Sequence, residues 1–142
     1  MIPDKVEIEV DIRTLPGQRG ADIEKMLADA LGDLAGQVHI TPFDENESTA
    51  SPADTPMWDS MDRVSKQLIE GSGLVPFLTV GATDARFFRR KGSVAYGYGL
   101  FSRRLGFDDY AAMFHGNDER VDIDSLVLST KLWDGLARDL VG

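Results

Sequence analysis

Residues 5–13 alternate without a break. Val6, Ile8, Val10 and Ile12 fall on one side; Lys5, Glu7, Glu9, Asp11 and Arg13 fall on the other. A period of two over nine residues is the pattern of a half-buried strand with one wet face. Leu15, Pro16 and Gly17 close it, because proline lacks a donor and glycine permits a turn. From residue 22 the period becomes helical. Ile23, Met26, Leu27, Ala30, Leu31 and Leu34 form one stripe, with Asp22, Glu24, Lys25, Asp29 and Asp33 facing water. Residues 38–41 read as a short second strand ended by Pro42. Strand, helix, strand predicts one βαβ unit, a single sheet with helices on one side.

Residues 44–56 have no apolar period, two prolines and several acidic groups, which marks a linker. A boundary near residue 50 therefore separates residues 1–50 from residues 51–142. The second part opens with a helix over 57–70, carrying Trp58, Met61, Val64 and Leu68 on one face. Residues 74–80 read as a strand apolar on both faces, hence covered on both sides. A strand-to-helix turn follows at 81–86, then a brief basic helix to Lys91. Residues 93–98 read as another strand, and 101–120 as irregular. A last helix, Ile123–Val141, has Asp122 as its N-cap.

Composition narrows the chemistry. The 142 residues hold 15 Lys plus Arg against 24 Asp plus Glu, a formal charge of -9. That balance argues against nucleic acid and anionic membrane surfaces as partners. There is no cysteine, so disulfides, thiolate metal sites and cysteine nucleophiles are excluded. The charged first dozen residues hold no signal core, and no apolar run approaches the roughly 20 residues of a membrane helix. The expectation is a soluble, unprocessed, cytoplasmic chain.

Two histidines are present. His39 alternates with Val38 and Ile40 and reads as a surface or packed residue. His115 lies in a non-periodic stretch, Met-Phe-His-Gly-Asn-Asp-Glu-Arg, between a strand and a capped helix. Such loops are where ligating groups concentrate, and imidazole is the commonest zinc ligand. Glu119 is near enough in sequence to orient His115, or to pair with Arg120. The turn at 81–86 offers Thr83 either to a ligand beyond the strand end or, with Asp84, to an ordinary helix cap. The cluster Arg86, Arg89, Arg90, Lys91, Arg103 and Arg104 reads as a solvated face or as an attraction for a carboxylate substrate. Nucleotide-binding glycine patterns, GxSxG and HExxH are all absent. Two histidines without a third ligand do not complete a hydrolytic zinc site.

The same residues, in order, resemble a known family. Val-Pro-Phe-Leu-Thr-Val-Gly-Ala-Thr-Asp-Ala-Arg-Phe-Phe-Arg at 75–89 is similar to a segment of the dinuclear zinc peptidases and amidohydrolases. These include aminoacylase, glutamate carboxypeptidase, acetylornithine deacetylase and succinyl-diaminopimelate desuccinylase. The Tyr-Gly-rich 95–99, the His-containing loop at 115–120, Ile2-Pro3, Asp11-Ile12-Arg13, Leu15-Pro16-Gly17 and the segment 51–58 match in sequence order. The resemblance implies an α/β fold: the second half of a βαββαβ lid, or dimerisation, domain, then the C-terminal part of a zinc-peptidase-like catalytic domain. It implies that His115 is a metal ligand, that Arg13 and Thr83 hold a substrate carboxylate, and that Glu119 supports the loop. The Asp84 and Arg86 pair would pin its turn.

The family's HxD motif, bridging Asp and Glu-Glu pair do not occur here, so no catalytic base is present. The expectation is therefore a C-terminal fragment of a zinc-dependent hydrolase of short peptides or N-acyl amino acids, inactive alone. Two zincs would serve the whole enzyme, and the lid sheet would form a homodimer. The alternatives are a non-catalytic α/β dimerisation module and half of a split enzyme.

Overall fold

The computed structural model describes residues 3–43, 46–104 and 106–142. Ile2 of the Ile-Pro pair, and Asp44 and Glu45 of the acidic tract, lie outside the described residues. The chain divides into two compact units, Met1–Ala50 with Thr79–Ser93, and Ser51–Leu78 with Val94–Gly142.

In the first unit, helix α1 runs over Gly20–Leu31 and passes into a 3-10 helix, Gly32–Gln37. The Arg19 amide donates to the Asp22 carboxylate at 2.8 Å, closing the first turn. Gly32, at φ 54°, ends the helix in the left-handed region open to glycine. The unit also holds helix α3, Ala85–Arg89. Arg89 donates to the carbonyl and hydroxyl of Thr49, both at 3.2 Å, and so ties the α3 segment to residue 49. Neither α1, the 3-10 helix nor α3 buries a residue.

The second unit has a core. Helix α2, Pro56–Leu68, lies against helix α5, Ile123–Val141. Met61 and Val64 of α2 meet Leu132 and Leu136 of α5, all at most 3% exposed. The i, i+3 and i, i+4 spacings put each pair on one helix face. Trp58, Leu68, Leu74, Tyr96, Tyr98 and Leu100 close around them. Thr55 caps α2 by accepting the Trp58 amide at 3.1 Å, with Pro56 at the first helical position. Asp122 caps α5 by accepting the Ser125 amide at 2.9 Å. Helix α4, Phe107–Met113, falls within the stretch read as irregular.

A chain of hydroxyls anchors the extended segment beside the helices. The Tyr96 hydroxyl donates to the Pro52 carbonyl at 2.5 Å. The Thr55 hydroxyl must therefore supply the proton of their 2.6 Å contact. Ser65 likewise donates to the Met61 carbonyl, so the Tyr98 hydroxyl donates to Ser65, each at 2.5 Å.

No described residue belongs to a β-strand, and the described regular structure is helical. This overturns the α/β expectation, with its βαββαβ lid and sheet-based catalytic part. Alternation reports an amphipathic extended chain, but a strand exists only where a neighbour takes its backbone groups. Around residues 95–102 hydroxyls take them instead. Ser51 accepts the Ala95 amide at 3.0 Å and donates to its carbonyl at 3.1 Å. Ser129 donates to the Leu100 carbonyl at 2.8 Å, and Ser125 accepts the Ser102 amide at 2.9 Å. In residues 5–13 the pairing is local, Lys5 with Glu7 and Arg13 with Asp11, while Val6 and Ile8 stay 74% and 81% exposed. Residues 74–80 are not covered on both sides either, since Val75 and Phe77 are 80% and 77% exposed.

Candidate functional site

His115 and Glu119 belong to the second unit; Arg13 and Thr83 belong to the first. His115 follows α4 directly. Its φ is 55°, and that of Asp118 is 65°, so two non-glycine residues within four positions adopt the left-handed conformation. Such backbone is uncommon outside glycine and is held only where the surroundings over-determine it. Here the Gly116 amide donates to the Met113 carbonyl at 3.2 Å, and a Cβ at Gly116 would come within 3.2 Å of the Ala112 carbonyl oxygen. The loop thus turns hard against the end of α4 and leaves His115 exposed.

An aromatic stack supports α4. The Tyr110 ring lies 4.2 Å from Phe101 and 4.7 Å from Phe114 between centroids. Burial pushes the Tyr110 phenol up from its ordinary value. Glu119 lines a cavity of about 40 Å³ with Tyr110, Met113, Phe114 and Arg120. Arg120 donates to the Asp118 carbonyl at 2.9 Å, and no ion pair joins it to Glu119 among the described residues.

Arg13 is held by Asp11, Nη2 to Oδ2 at 2.8 Å, with both groups largely exposed. The i, i+2 spacing of an extended chain puts both on the polar face. Thr83 is exposed, and its carbonyl accepts the Arg86 amide at 3.3 Å. Asp84 occupies the N-cap position of α3 without a side-chain cap bond. The Arg86 guanidinium lies 4.8 Å from the Phe87 ring centroid, a cation–π geometry, and is not paired with Asp84 among the described residues. Backbone bonds and that ring contact therefore pin this turn. His39 is exposed.

Among the described residues no group of three His, Cys, Asp or Glu side chains is placed to hold a metal ion. A zinc centre needs at least three protein ligands. The described donors therefore do not make one.

The model of peptidase family M20/M25/M40 matches residues 4–139, nearly the whole chain. The chain belongs to this family. No curated protein and no solved structure matches it. Peptidase family M20/M25/M40 is one of hydrolases that bind metal ions, so the chain belongs to a hydrolytic family. The exposed His115 precedes Asp118 and Glu119 in the same loop. No helix among the described residues is long and apolar enough to cross a membrane.

Two polar clusters of this family member escape a reading by motif. Asp122 gathers the Ser125 amide and hydroxyl and the Ser102 hydroxyl, the last at 3.0 Å. These bonds, Ser125 first, hold its carboxyl below the usual Asp range. Asp122 was legible as a cap, but Ser102 is twenty residues away and carried no signal. Glu70 and Arg103 line one cleft and are likewise distant in sequence.

Proposed function

We propose that these residues form the C-terminal part of a zinc-dependent peptidase or amide hydrolase of the M20/M25/M40 family. The family match across residues 4–139 carries this reading. His115 adds to it as an exposed imidazole on a conformationally committed loop. In this reading His115 contributes one ligand, and the other ligands and the general base come from outside these 142 residues. Glu119 steadies the loop. The substrate is a short peptide or N-acyl amino acid, whose carboxylate is held by Arg13, released from Asp11, and by the Thr83 hydroxyl.

The test is complementation. The purified chain is mixed with the N-terminal part of a family member, and metal-dependent amide hydrolysis is followed. Hydrolysis by the mixture, none by either part, and loss with His115→Ala support the proposal. Metal-dependent hydrolysis by the chain alone, or activity indifferent to His115→Ala, overturns it.

A second reading, a non-catalytic module that forms a homodimer, is favoured by the exposed apolar row Val6, Ile8 and Val10. Sedimentation distinguishes it. A dimer that dissociates when Ile8 becomes Lys supports the module, and a monomer at all concentrations removes it.

A further inference from the structure

An open cleft of about 430 Å³ lies in the second unit, and its lining includes neither His115 nor Glu119. Leu68, Ile69, Phe101 and Leu128 give it an apolar lining, and Glu70, Ser102 and Arg103 supply the polar groups. Ser102 is already engaged: its amide donates to Ser125 and its hydroxyl to Asp122. Glu70 and Arg103 are not. Both are exposed, and neither has an ion-pair or side-chain hydrogen-bond partner among the described residues. The cleft therefore presents one anion and one cation that do not neutralise each other. Glu70 follows the C-terminal end of α2, where the helix dipole adds negative potential. Cation preference at that end and anion preference at Arg103 point the same way.

We infer that this cleft binds a small zwitterion with an aliphatic body, its ammonium at Glu70 and its carboxylate at Arg103. The volume falls in the range of small-molecule sites, and an apolar lining with two placed charges is their usual make-up. The inference is independent of any metal at His115.

The 142-residue chain is titrated with 6-aminohexanoate, hexanoate and hexylamine, following the methyl signals of Leu68 and Leu128 by NMR. Saturable shifts are expected with 6-aminohexanoate, at an affinity at least tenfold above either singly charged analogue. Glu70→Gln and Arg103→Gln should each weaken binding about tenfold while the Leu132 signals of the core stay in place. No saturable shift, or equal affinity for all three compounds, overturns the inference whether or not the variants fold. Unchanged binding in both folded variants overturns it as well.

Discussion

A Cβ on Gly135 would stand 2.7 Å from Val64 Cγ1. Val64 is buried and β-branched, so it has little freedom to yield to such an atom. Gly135→Ala should gain about 1 kcal/mol of helix propensity but lose about 1–3 kcal/mol to overpacking. The expected net is a loss of roughly 1 kcal/mol in urea unfolding. Val64→Ala in the same chain should recover part of it, seen as a favourable coupling in a double-mutant cycle.

Ser65 and Tyr98 behave asymmetrically. Tyr98→Phe removes one donor and leaves Ser65 bonded to the Met61 carbonyl, at a cost of about 0.5–1.5 kcal/mol. Ser65→Ala strands the Tyr98 hydroxyl in a half-buried place and should cost about 1–3 kcal/mol. Equal losses in thermal unfolding would contradict the assigned donor directions.

Leu132 is wholly buried, whereas Leu126 on the same helix is mostly exposed. Leu132→Ala should destabilise by about 2–5 kcal/mol, and Leu126→Ala by less than about 0.5 kcal/mol. Circular dichroism against urea reads both.

Asp122 links stability to acid. Hydrogen bonds from Ser125 and Ser102 keep its carboxyl below the ordinary Asp value when folded. The contribution to stability is complete above the unfolded Asp value of about 3.9 and is lost as pH falls through the lowered folded value. Asp139 is lowered beside Arg63, and Asp134 beside Arg138, and both act in the same direction. Stability measured from pH 6 downward should therefore drop, and Asp122→Asn, which still caps, should drop less.

On the function proposed above, the left-handed backbone at His115 lets stability and activity be read separately. His115→Gly relieves a steric cost of about 1–2 kcal/mol and adds a chain-entropy cost of about 0.5–1 kcal/mol. Melting temperature should hold or rise slightly, while the complemented hydrolase loses its activity. A large fall in melting temperature would mean that the imidazole serves packing.

The helices were largely legible because each is written locally. The stripe of Trp58, Met61, Val64 and Leu68 marks α2, and Asp122 marks the start of α5. Helix α4, Phe107–Met113, was missed because Gly106 at its N-cap offers no side chain to mark the start. His115 stood out by type and by setting, but its φ did not, since the enrichment of histidine in left-handed backbone is too weak to mark one position. The cleft between Glu70 and Arg103 was invisible because no motif joins residues so far apart.

By itself the sequence determined the buried face of α2, the cap of α5, the absence of cysteine chemistry and the membership in a hydrolytic family. The tertiary structure alone decided what the alternating and apolar stretches became. A helix bonds to itself four residues away, so its pattern suffices. An extended chain needs a partner from elsewhere, and at Ala95, Leu100 and Ser102 the hydroxyls of Ser51, Ser129 and Ser125 take backbone groups that a neighbouring strand would otherwise claim.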